Sequence, residues 1–104
     1  MEDRHRNILR RNRKSIRKDL EPENILAKMV EIFNDTDEGE IKAQRTRETR
    51  CDKLLEILPR RGPNAFKVFV EALKEEASHL ASDLIKAGNT EESYQSALSD
   101  RNIN

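Results

Sequence analysis

Cysteine is nearly missing from this chain: Cys51 is the only one in 104 residues. That excludes an internal disulfide framework and a cysteine-rich zinc site. Two histidines as far apart as His5 and His79 supply no dense metal cluster either. Tryptophan is absent and aromatic residues make up 4% of the chain, so the core must be aliphatic and few rings remain for stacking on nucleic-acid bases. The three glycines, at positions 39, 62 and 88, are too dispersed to form a phosphate-cradling loop. No apolar run approaches the roughly 20 residues that a membrane span needs. The N-terminus is charged from Glu2 onward, where a secretory signal would be apolar. The expected compartment is the reducing cytoplasm or nucleus, with the cytoplasm as the working assignment.

What the chain does have is charge, in 38% of its residues, with twenty bases and twenty acids cancelling to zero. A zero balance argues against a general nucleic-acid binder, the competing function for a helical domain with a basic first helix. The distribution is uneven. Residues 1–18 hold eight bases against two acids, and residues 19–40 hold one base against eight acids. Residues 41–61 then return to seven bases against three acids. Alternating blocks of this kind predict a folded molecule with two faces of unlike sign, each able to attract the other face of a second molecule.

The apolar residues repeat at helical spacing almost throughout. Ile8, Leu9, Asn12, Ile16 and Leu20 form a first stripe, and Ile25, Leu26, Met29, Val30 and Phe33 a second. Between them Pro22 suits the first turn of a new helix, where its missing N–H costs nothing. A short third element of one or two turns, opened by Asp37 and Glu38, offers only Ile41 and Ala43. Cys51, Leu54, Leu55 and Leu58 form a fourth stripe, starting near Thr46 or Arg47 and ending at Pro59. Gly62-Pro63 then makes a sharp connection to a fifth stripe of Ala65, Phe66, Phe69, Val70 and Leu73. Ala77, Leu80, Ala81, Leu84 and Ile85 form the sixth, closed by Gly88 as a C-cap. No stretch alternates like a strand. The prediction is an all-α, six-helix antiparallel bundle over residues 1–88. Residues 89–104 read as a polar tail or linker, with a capping box of Asn89 and Glu92 opening at most one short helix.

Catalytic patterns are weak, and no enzyme, cofactor or metal is expected. Ser78 and His79 are adjacent, so on a helix they point about 100° apart, and no glycine elbow accompanies them. Cys51 lies on the apolar stripe and reads as a buried structural thiol. Glu75-Glu76 is an ordinary pair of helix-surface acids. Two charged sets remain. Arg10, Arg13, Lys14 and Arg17 recur at three- and four-residue spacing as a ridge on the first helix, joined by Arg47, Arg50 and Lys53 on the fourth. Glu31, Asp35, Asp37, Glu38 and Glu40 form the acidic set.

The segment Leu55-Glu56-Ile57-Leu58-Pro59-Arg60-Arg61-Gly62-Pro63-Asn64-Ala65-Phe66 resembles the junction of the fourth and fifth helices in caspase recruitment domains (CARDs). The resemblance is strongest to those of initiator caspases and of the adaptor that carries a CARD and a death domain. Phe69-Val70-Glu71-Ala72-Leu73-Lys74 continues it. Ile8-Leu9-Arg10-Arg11-Asn12-Arg13, with Ile16 and Leu20, resembles the bent first helix of those domains, and Ile41-Lys42-Ala43-Gln44 their short third helix. The similarity spans about residues 3–86, and Arg-Gly-Pro-x-Ala-Phe is its most specific part. It implies a Greek-key death fold. It also implies homotypic recruitment of another CARD protein, an initiator caspase or its adaptor in apoptotic signalling, with self-association as a further outcome and no nucleic acid or membrane partner. In the family a basic surface from helices one and four often meets an acidic one from helices two and three, the roles the two sets above would fill. A CARD-only decoy would use the same surfaces.

Overall fold

The computed structural model describes residues 1–88. The polar segment 89–104, with the capping box assigned to Asn89 and Glu92, lies outside the described residues. Helices α1 (Asp3–Arg11) and α2 (Arg13–Asp19) form one bent unit, broken at Asn12. The stripe explains the bend. Ile8, Leu9, Ile16 and Leu20 are buried, and the polar Asn12 between them turns its side-chain amide back to donate to the Ile8 carbonyl at 2.8 Å. That carbonyl also accepts the Asn12 backbone N–H, so the break leaves it satisfied.

After extended residues at Leu20 and Glu21, α3 (Pro22–Leu26) begins on its proline as expected. It is much shorter than its apolar stripe suggests. Beyond Leu26 the backbone tightens: Lys28 donates to the Ile25 carbonyl, Met29 to Leu26 and Ile32 to Met29, all three-residue turns. Three residues per turn instead of 3.6 shifts the phase of the stripe. Met29 and Phe33 stay inside, whereas Val30, expected in the core, is 70% exposed.

Helix α4 (Asp35–Lys42) is opened by a reciprocal capping box. The Asn34 side chain accepts the Asp37 N–H at 2.8 Å, and the Asp37 carboxylate accepts the Asn34 N–H at 3.2 Å. Thr46 and Thr49 do the same for α5 (Arg47–Ile57), which runs into a 3-10 turn at Leu58–Arg60. Gly62 has φ +95°, a left-handed value that disfavours any side chain there, and it lets the chain reverse into α6 (Ala65–Glu76). After Ala77 a last helix, α7, spans residues 78–88. Gly88 is itself helical with no positive φ, so the left-handed cap expected of it is not seen.

Counting α1–α2 as one bent helix, and α3 with its following turns as another, the described residues make the six helical segments anticipated, with no strand. Helix α5 packs against α2, α3 and α4, while α6 packs against α3. Phe69 is fully buried, ringed by the aliphatic core that the scarcity of aromatics requires. Ile85, placed on the sixth stripe, is 39% exposed at the rim. Surface contacts also join distant segments: Lys28 lies 3.4 Å from Glu75 and 3.6 Å from Glu76, and His79 lies 3.0 Å from Asp19.

Candidate interaction surface

The basic ridge is built by the bent first helix. Arg10, Arg13, Lys14 and Arg17 are all exposed, because the opposite face of the same turns carries Ile8, Leu9, Ile16 and Leu20 into the core. Their electrostatic situations differ. Arg13 Nη2 lies 3.3 Å from Asp52 Oδ1 and Arg17 Nε lies 3.1 Å from Asp52 Oδ2, so one carboxylate of α5 engages both. Arg10 donates to the amide oxygen of Asn7 at 3.3 Å. Neither Arg10 nor Lys14 has an ion-pair partner among the described residues.

The three bases of α5 are held inside the protomer. Arg47 donates through Nη1 to the carbonyls of Arg17, at 3.1 Å, and Leu20, at 2.9 Å, and so caps the carboxyl end of α2. Its Nη2 also lies 3.4 Å from Glu48. Arg50 donates through Nε to the Gln44 carbonyl at 3.0 Å and pairs with Glu23 at 3.2 Å. Lys53 pairs with Glu56 at 2.9 Å, and this hydrogen bond and charge raise the lysine's pKa and lower that of the glutamate. Spacing signals the Lys53–Glu56 pair, one turn apart on a helix, but not the contacts with the Arg17 and Leu20 carbonyls or with Glu23, which lie far along the chain.

The acidic set divides in the same way. Glu31, Asp35 and Glu40 are exposed and without ion pairs among the described residues. Glu38 pairs with Lys42 one turn on at 2.7 Å, and that hydrogen bond raises the pKa of Lys42. Asp37 is not a surface acid: it is 3% exposed. Beyond its part in the capping box, it forms an ion pair with Arg61, whose Nε lies 3.0 Å away, tying α4 to the turn before Gly62. The pattern Asn34-x-x-Asp37 was the sequence signal for this role. Among the described residues no ion pair joins Arg10, Arg13, Lys14 or Arg17 to any of the five acids.

Cys51 is fully buried beneath α2, its thiol directed at the Leu20 carbonyl 3.5 Å away. Burial pushes its pKa up to about 11, against a smaller opposing pull from Arg47. Native protein should therefore resist iodoacetamide at pH 8, and denatured protein should react. Below pH 9 both states hold the proton, so stability is unaffected. Above it the unfolded thiol ionises first, so stability should fall between about pH 9 and pH 11, measurable as a falling urea midpoint.

Among the described residues no group of His, Cys, Asp and Glu is arranged to hold a metal, and no helix is long and apolar enough to cross a membrane. A comparison with curated proteins returns no match. The family model described as caspase recruitment domain matches residues 6–87 of the 104, nearly the whole of the bundle. The chain thus belongs to the caspase recruitment domain family, non-catalytic homotypic interaction modules of the death fold that bind other CARD or death-fold proteins.

Proposed function

We propose that this CARD recruits or oligomerises an initiator caspase or its adaptor in cytoplasmic apoptotic signalling, and that it does so without catalysis. Its basic face, Arg10, Arg13, Lys14 and Arg17 flanked by Arg47, Arg50 and Lys53, docks on the acidic face of a neighbouring CARD. Its own Glu31, with Asp35, Glu38 and Glu40 on α4, which Asp37 holds from beneath, receive the basic face of the next. Residues 1–88 form the docking body and residues 89–104 a linker. The observation that carries this reading is that, among the described residues, no ion pair joins Arg10, Arg13, Lys14 or Arg17 to the acidic set, and Arg10, Lys14, Glu31, Asp35 and Glu40 have no ion-pair partner.

One exposed ion pair contributes only about 0–1 kcal/mol, so recruitment needs several at once around a packed centre. Micromolar binding requires about −8 kcal/mol, within reach of such a patch. Two unlike faces on one chain make a heterologous contact that need not close, so growth into a helical array is open to it. Because the pairs lie at the surface, salt screens them. Self-association, or capture of an initiator-caspase CARD, should weaken roughly ten-fold or more between 50 and 300 mM NaCl in sedimentation velocity. Salt-independent sedimentation would refute the proposal, and a gel shift with duplex DNA or RNA at physiological salt would favour nucleic-acid binding instead.

A further inference from the structure

We infer that Asp52 is a built-in competitor for the basic face and thereby a specificity-determining residue for the partner that docks there. The inference rests on the proposed role of that face. Asp52 lies on α5, yet its carboxylate reaches into the ridge of α2, with one oxygen at 3.3 Å from Arg13 and the other at 3.1 Å from Arg17. The Asp52 side chain is 27% exposed, against 56% for Arg13 and 47% for Arg17. Oδ1 is buried and receives no hydrogen bond, so the nearby charge of Arg13 is its compensation.

A half-buried carboxylate in that position has a physical consequence. If an incoming acid drew Arg13 outward, the buried Oδ1 of Asp52 would lose the charge beside it, and if it drew Arg17 outward, Oδ2 would lose its hydrogen bond; either penalty opposes docking. The two arginines therefore answer to Asp52 first and to a partner second. Arg10, one turn before Arg13, and Lys14, one turn before Arg17, carry no such commitment. Asp52 also subtracts one unit of charge from the middle of the ridge. The partner selected is a second CARD whose helix carries carboxylates aligned with Arg10 and Lys14. An acidic surface centred on Arg13 and Arg17 is selected against.

The test isolates a single interface. A donor chain carries Glu31→Gln, Asp35→Asn, Glu38→Gln and Glu40→Gln, and so retains only its basic face. An acceptor chain carries Arg10→Glu and Lys14→Glu, and so retains only its acidic face. Their 1:1 affinity is measured by calorimetry at 100 mM NaCl. Adding Asp52→Asn to the donor should tighten Kd about five-fold, with the gain shrinking at 500 mM NaCl, whereas Asp52→Glu, which keeps the charge, should not tighten it. An unchanged or weaker Kd for Asp52→Asn overturns the inference and leaves the proposed function standing. If Asp52→Asn does not fold, Arg10→Gln and Arg13→Gln in the donor decide: a larger loss at Arg10 is expected, and equal losses overturn the inference. Failure of the parental pair to bind counts against the proposed function. A labelled hexaglutamate peptide then reads Asp52 directly, with tighter binding to Asp52→Asn expected and unchanged binding overturning the inference.

Discussion

Reversing Arg10 and Lys14 together to glutamate is expected to abolish homotypic association while leaving the bundle folded. The two side chains occupy one ridge four residues apart, are exposed and have no internal ion pair among the described residues, so they are the bases most available to a partner. The change removes two attractions and installs two repulsions against an acidic surface, which should weaken binding by roughly 100-fold or more. The structural cost is small. Glutamate is about as good a helix former as the residues it replaces, and exposed substitutions usually stay within about 0.5 kcal/mol. Arg10 lies in the last turn of α1, where an acid is mildly unfavourable, but Lys14 lies in the first turn of α2, where an acid is mildly favourable. Choosing Arg13 instead would confound the experiment, because glutamate there would face Asp52 and disturb the α2–α5 contact. An unaltered sedimentation profile for Arg10→Glu/Lys14→Glu, in protein with a native melting curve, would refute the proposed docking surface.

Asp37→Ala should act in the opposite way, damaging stability rather than an exposed binding group. Alanine forfeits the carboxylate half of the capping box, worth about 1 kcal/mol, and leaves the Asn34 N–H without its acceptor. It also strands Arg61, although that guanidinium is 35% exposed and water recovers part of the loss. A total of about 2–3 kcal/mol is expected, which for a domain of this size lowers the melting temperature by roughly 15 °C. Asp35→Ala, two residues away and exposed, should leave the melt within a few degrees and weaken association. Equal melting of Asp37→Ala and the parent would show that the buried pair contributes nothing.

These contrasts mark where reading along the chain succeeded. The apolar stripes located the helical segments because burial of one face per 3.6 residues is written into consecutive residues. Pro22 opened α3 and Gly62 took the left-handed turn because each has backbone constraints of its own. The stripe through Val30 misled for a physical reason: its spacing is also compatible with three-residue turns, and the packing of Met29 and Phe33 decided between them. The capping pairs Asn34/Asp37 and Thr46/Thr49 were legible by spacing, and recognising the first would have marked Asp37 as internal.

Periodicity, chain-breaking residues and charge blocks are properties of neighbours, and they determined a helical bundle whose basic and acidic residues fall in separate segments. Only the tertiary structure decided which charges stay free. Arg17 meets Asp52 across 35 residues and Arg47 meets the Leu20 carbonyl across 27, distances along the chain at which no local pattern specifies a contact. The folded packing of α2, α4 and α5 decides which charges find a partner within the protomer.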